Sequence, residues 1–208
     1  MKVEKVILLM LVLSGCCEFC RDDAPTYVMD QDFKDYTLFP VGSYWIYSED
    51  ITKEYDSVYL YRQEVRMSDS YKIHSYKYEY FDQSLGSTFF NDTLSGGSAA
   101  ERYYDTVYFS YAERYLSNFV VTNLQFFNKV AAGTTLDFSD DSQVKYTGEL
   151  NSFVVGGIEY QNVRIFENRV LTDDRLPERI YYAKGIGVIR KELFNGQIWN
   201  LERHLINR

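Results

Sequence analysis

Three scarcities shape the reading of this 208-residue chain. It has only three cysteines, Cys16, Cys17 and Cys20, and none in the remaining 188 positions, so no disulfide framework holds the body together. Three prolines and 12 glycines are too few for a collagen-like or linker-like polymer. Basic residues are outnumbered, 22 Lys and Arg against 30 Asp and Glu, and they form no cluster. That balance argues against nucleic acid or an anionic membrane surface as partner, because both require cations to neutralise phosphate. With two histidines and no cysteine in the body, a zinc site lacks its usual ligands. What is abundant is apolar and aromatic: 46% hydrophobic residues, 17% aromatic, 20 of them tyrosine. Such a chain buries enough apolar surface to offset the entropy of ordering, and its length fits one domain.

The first residues carry the most specific pattern. Met1 to Lys5 contains two lysines, Val6 to Leu13 is an apolar run, and Ser14 and Gly15 are small residues before Cys16. A positive start, an apolar middle and a small-residue cleavage point make a signal peptide over residues 1–15. The eight-residue run is far short of the roughly 20 residues a membrane-spanning helix needs. Leu13-Ser14-Gly15-Cys16 resembles the lipobox of bacterial lipoproteins. The resemblance implies cleavage before Cys16, a diacylglycerol thioether on its sulfur and a third acyl chain on its amine. Two or three long chains, at about 0.8 kcal/mol per buried methylene, anchor a protein durably. An ordinary secretory signal with an incidental Cys and a cytosolic apolar helix are the plainer alternatives. Cleavage removes two lysines and one glutamate, taking the formal charge from −8 to −9; lipid rather than charge then provides the membrane attachment.

Residues 16–35 read as the lipidated Cys and a flexible tether. Cys17-Glu18-Phe19-Cys20 has redox-motif spacing, but no βαβ unit follows to lower a thiol pKa, so an incidental pair is the better reading. The acidic cluster after Cys16 resembles the surface-export signal of lipoproteins from some gut-type Gram-negative anaerobes, although a solvated tether has the same composition. The expected location is the bacterial cell envelope, at the outer membrane, on its periplasmic or surface face.

From residue 36 to 208 the chain reads as an all-β domain with minor α content, a single large antiparallel sheet, curled or barrel-like, of about ten strands. Short alternating runs rich in aromatic and β-branched residues, separated by turn residues, carry that expectation. They are Tyr44 to Tyr47, Asp56 to Val65, Tyr71 to Phe81, Thr106 to Tyr111, Phe119 to Phe127, Gln143 to Leu150, Val163 to Leu171, Arg179 to Ala183, Val188 to Leu193 and Ile198 to Ile206. A parity change near His74 and Ser75 predicts a bulge. Asn195-Gly196 predicts a type I′ hairpin joining the last two runs. Ser98 followed by Ala99-Ala100-Glu101-Arg102 predicts a short capped helix.

Two segments of the body resemble small, uncharacterised envelope lipoproteins: Phe39-Pro40-Val41-Gly42-Ser43-Tyr44-Trp45-Ile46-Tyr47, a FPxGxxWxY run, and Tyr181 to Lys191, close to a YYAKGVGLVK hairpin. The resemblance implies an antiparallel sheet and carries over no catalytic residue. Gly185 and Gly187 are expected to serve a tight turn and a close backbone approach.

No nucleophile elbow, zinc-protease helix, phosphate loop or dinucleotide fingerprint occurs. His74 and His204 read as strand residues. Asp140-Asp141 and Asp173-Asp174 read as solvated turns, and Asp30-Gln31-Asp32 with Asp35 is loosely similar to a calcium loop without its central Gly and distal Glu. No cofactor is expected. Tyr59, Tyr61, Tyr76, Tyr78, Tyr80, Tyr108, Tyr181 and Tyr182 either form an exposed aromatic face for glycan or protein or simply suit strands. Asp56-Ser57-Val58, Asp92-Thr93-Leu94 and Asp105-Thr106-Val107 resemble an envelope O-glycosylation signal, making Ser57, Thr93 and Thr106 candidate acceptors, although about one match is expected by chance. The sequence thus points to a lipid-anchored protein with a non-catalytic binding or structural role and a protein, glycan or lipid partner. Its alternatives are a carrier of an apolar ligand in a concave sheet and a glycan-active enzyme with a carboxylate pair.

Overall fold

The computed structural model describes residues 26–70, 76–87, 94–104, 107–116, 119–139, 142–169, 174 and 176–207. One helix, α1 (Gln31–Thr37), accompanies thirteen strands: β1 (Thr26–Tyr27), β2 (Tyr44–Glu49), β3 (Tyr55–Ser70), β4 (Tyr76–Ser87), β5 (Leu94–Tyr104), β6 (Val107–Leu116), β7 (Phe119–Asn128), β8 (Thr135–Ser139), β9 (Ser142–Val155), β10 (Ile158–Asn168), β11 (Pro177–Ala183), β12 (Gly187–Leu193) and β13 (Ile198–Leu205). The strands join in one sheet in the order β7-β6-β5-β4-β3-β2-β13-β12-β11-β10-β9-β8, with β1 paired to β4 outside this path. The strand pairings along the path are antiparallel among the described residues, and the two ends, β7 and β8, are not joined to each other, so the sheet is not closed into a barrel.

The all-β class, the minor helix and the single antiparallel sheet agree with the sequence, and each of the ten expected runs overlaps a strand among the described residues. Three readings are corrected. The helix expected at Ala99 to Arg102 is part of β5, paired to β6 from Ser98↔Glu113 to Tyr104↔Val107; strand pairing on both sides outweighs the local helix propensity of Ala and Glu. The helix lies instead at Gln31–Thr37, across the expected boundary between tether and domain at residue 35. Asp30 caps it, its Oδ1 accepting from Phe33 N at 2.8 Å, and Phe33 and Tyr36 are buried. The Asn195-Gly196 hairpin does join β12 and β13, but only Gly196 has positive φ (86°), so the turn is not type I′. Leu193 N donates to Gln197 O, Gly196 N to Leu193 O, and Asn195 Oδ1 accepts from Gln197 N, the pattern of a longer loop closed by a left-handed glycine. The two-residue hairpin with both φ positive is Gly156-Gly157 (58° and 82°), between Val155 and Ile158. The bulge expected near His74 and Ser75 lies outside the described residues.

The chain forms two compact units. The first, Met1–Val28 with Met67–Tyr78, contains the parallel pairing Thr26↔Lys77 and Tyr27↔Tyr78. The second, Met29–Arg66 with Glu79–Arg208, holds the main core. Trp45 and Tyr47 on β2, Leu60 on β3, Trp199 and Leu201 on β13, Ile189 on β12, Ile180 and Tyr182 on β11 and Phe166 on β10 are buried. In the cross-strand register Leu201 stands opposite Tyr47, and Phe166 opposite Ile180. Alternate residues therefore give one continuous apolar face. Helix α1 packs against it through Phe33, 6.4 Å from the Phe81 ring, and Tyr36, whose hydroxyl donates to Asn162 O at 2.9 Å.

Candidate functional site

The two segments singled out by resemblance meet in space. Phe39 lies edge-on to Trp45 (5.3 Å) and against Gly187, where a Cβ would stand 3.1 Å from the Phe39 ring. Gly187, at φ +93°, is thus required both by its backbone and by its neighbour. Trp45 Nε1 donates to Ile186 O at 2.5 Å, Tyr47 Oη to Val188 O at 2.9 Å, and Gly185 N to Asp35 O at 2.7 Å. Lys191 Nζ sits 4.3 Å from the Tyr47 ring centre and 3.4 Å from Oδ2 of buried Asp56. Every polar residue of both segments named here thus serves the joint between the β2 approach and the β11–β12 hairpin.

Next to this joint lies a dense charged cluster. Arg164 on β10, at an otherwise apolar part of the strand, is mostly buried: Nε donates to Glu149 at 2.8 Å, Nη1 to Asn128 Oδ1 at 2.7 Å and Nη2 to Asp32 at 2.7 Å. Its guanidinium lies 4.4 Å from the Tyr36 ring centre. Lys184 bridges Asp32 (2.9 Å) and Asp35 (3.4 Å), Lys129 reaches Asp30 (3.1 Å), and Lys34 reaches Glu79 (3.0 Å). Burial works against ionised Asp32, but the hydrogen bonds from Lys184 and Arg164 outweigh it and hold the carboxyl below its ordinary range. Burial pushes the Tyr36 and Tyr146 phenols up, the Arg164 charge opposing it. The calcium-loop similarity of Asp30, Asp32 and Asp35 is therefore resolved by cations of the chain itself: Asp30 caps α1 while Asp32 and Asp35 hold Lys184. Among the described residues no group of three or more His, Cys, Asp and Glu is arranged to hold a metal ion. Sequence reasoning singled out Asp30, Asp32 and Asp35 but not the cations that hold them; the sign of these was an arginine set between Val163 and Phe166.

A second polar group surrounds Glu192, which accepts from Tyr181 Oη (3.1 Å), Arg190 Nε (2.8 Å) and Arg179 Nη1 (3.1 Å), while Arg179 also holds Glu167 at 2.9 Å. Tyr181 stacks on Phe153 at 4.8 Å. Asn200 Nδ2 donates to Asp50 at 2.6 Å, and its Oδ1 is buried without a partner. Glu192 and Glu167 are thus each held by arginine, and Asp50 by the Asn200 amide.

Of the residues singled out in the sequence, Cys16, Cys17, Cys20, Thr93, Thr106 and His74 lie outside the described residues, as do Asp140, Asp141 and Asp173. Ser57 is half-buried in β3, opposite Ile46, and the neighbouring Asp56 faces Lys191. His204 stands on β13 opposite Trp45, its pKa lowered by burial. Tyr181 and Tyr182 are buried, whereas Tyr59 and Tyr61 are exposed, their ring centres 5.9 Å apart. Comparison with family models, with curated proteins and with solved structures finds no match to this chain.

Proposed function

We propose that this chain is a lipid-anchored protein of the bacterial cell envelope whose β domain acts by binding or as a structural module rather than by catalysis. The observation that carries the reading is the leader: two lysines, an apolar run and Leu13-Ser14-Gly15-Cys16 in the order lipid attachment requires. The attachment site is Cys16, and the outer membrane, on its periplasmic or surface face, is the location that such a leader fits. The domain chemistry supports a non-catalytic role. The buried carboxylates Glu49 and Asp56 are bound by backbone amides and by Lys191 respectively, and Asp32, Glu149 and Glu192 are held by arginines. The apolar carrier is less favoured, since the face that would line its interior is filled by buried side chains: Phe166 against Tyr182, Tyr36 against Arg164 and Phe33 against Phe81. The test is growth of the native cell with an alkyne-bearing palmitate. Label on the full chain and its loss in Cys16→Ala are the expected result; an unlabelled chain recovered free of the membrane overturns the reading.

A further inference from the structure

β3 sorts its side chains by chemistry. Arg62, Glu64 and Arg66 share one side and pair among themselves and with Asp82. On the other side Tyr55, Ser57, Tyr59, Tyr61, Gln63, Val65 and Met67 form a row without charge that ends at Asp69, in a chain that is one-quarter charged. Tyr55, Tyr59 and Tyr61 are 63%, 46% and 50% exposed, so about half of each ring is open to solvent. Tyr59 does not stand away from the sheet. A Cβ built on Gly86 of β4 would lie 2.5 Å from Tyr59 Cε1 and 2.7 Å from its hydroxyl oxygen, so the ring lies across the glycine backbone and only glycine leaves room for it. Tyr61 adjoins it at 5.9 Å with its plane inclined by 49°.

A ring lying across a strand cannot act as a knob inserted into a partner's pocket, the usual role of tyrosine in protein interfaces. It offers a broad apolar surface with a hydroxyl at its edge, which suits a ligand that stacks. The absence of charge along the row matches a neutral ligand rich in hydroxyls, with Ser57 and Gln63 as hydrogen-bonding neighbours and Arg203, opposite Ile46, at the margin. We infer that Tyr59 and Tyr61, supported by Gly86, form a stacking platform for a neutral oligosaccharide. The inference deepens the binding role proposed above by naming its ligand class, and it rests on that reading.

The test is calorimetric titration of the full lipidated chain in detergent with maltohexaose, cellohexaose and mannohexaose, and with a galacturonate hexamer as the anionic comparison. At least one neutral hexasaccharide binds, and Tyr59→Ala with Tyr61→Ala weakens it by about tenfold or more. Gly86→Ala, which keeps both rings but displaces Tyr59, weakens it several-fold while the thermal midpoint stays close to that of the parent. The inference is overturned if none of the neutral sugars binds, if the anionic hexamer binds more tightly than all of them, or if the tyrosine variants leave sugar affinity unchanged. It is likewise overturned if those variants abolish only self-association in sedimentation. Palmitate label at Cys16 without sugar binding removes this inference alone, whereas sugar binding by an unlabelled chain removes the envelope reading and leaves the platform standing.

Discussion

Glu49 shows how a buried carboxylate can serve folding alone. It is almost fully buried beside Trp199, yet its Oε2 accepts from the backbone N–H of Ile51 (2.8 Å) and Thr52 (2.5 Å), closing the turn from β2 to β3, where Lys53 takes φ 60°. The Thr52 amide, above all, holds its pKa below the usual carboxylate value despite burial. A depressed folded-state pKa stabilises the fold above the unfolded-state value near 4, and that contribution is lost as pH falls through the folded value. Glu49→Gln is therefore expected to lower the thermal midpoint at pH 7 and to flatten its decline between about pH 5 and 3; scanning calorimetry across that range checks both. Gly187 is the corresponding backbone case. Gly187→Ala places a methyl against Phe39 in a left-handed conformation and is expected to cost about 2 kcal/mol or more in urea unfolding. An unchanged midpoint would show that Phe39 yields freely. The glycine was legible in the sequence as a close-approach position, whereas nothing in the sequence marked Glu49, because the signal is a side chain folding back on its own turn.

At the scale of elements, strands were legible and their partners were not. Alternation placed β2, β6, β7, β11, β12 and β13 within a few residues, because one wet and one dry face leave a period-two record. β5 was missed because Ser95-Gly96-Gly97-Ser98 and Ala99-Ala100 carry no apolar alternation; its place comes from hydrogen bonding to β4 and β6. Helix α1 was missed because seven residues are too few for a helical period, and only the Asp30 cap and buried Phe33 and Tyr36 define it. Its docking depends on charge as much as on packing. Removing the cap with Asp30→Ala is expected to cost about 1 kcal/mol. Arg164→Met should cost about 3 kcal/mol, since it removes the cation from Glu149, takes one of two from Asp32 and leaves Asn128 Oδ1 without its donor. Chemical denaturation measures both losses, and faster amide exchange at residues 33–37 in Arg164→Met locates the second at the helix.

Across the whole molecule, the sheet order explains why two segments some 140 residues apart drew attention together. β2 pairs with β13, and β13 with β12, so the start and end of the body lie side by side in the middle of the sheet order. The Trp45 and Tyr47 bonds to Ile186 and Val188 then tie the first core strand to the last hairpins. A chain whose ends close its centre is completed only when β13 is in place, a long-range contact that local pattern cannot reveal. The proposed lipid attachment at Cys16 precedes Thr26, the first residue of β1, in the chain. On the proposed lipidation the full chain is expected to partition into the detergent phase of a clouding Triton X-114 solution, and Cys16→Ala into the aqueous phase, with the same thermal midpoint for both. A variant that stayed in the detergent phase would place membrane affinity in the domain itself, and a large drop in midpoint would make the lipid part of the fold.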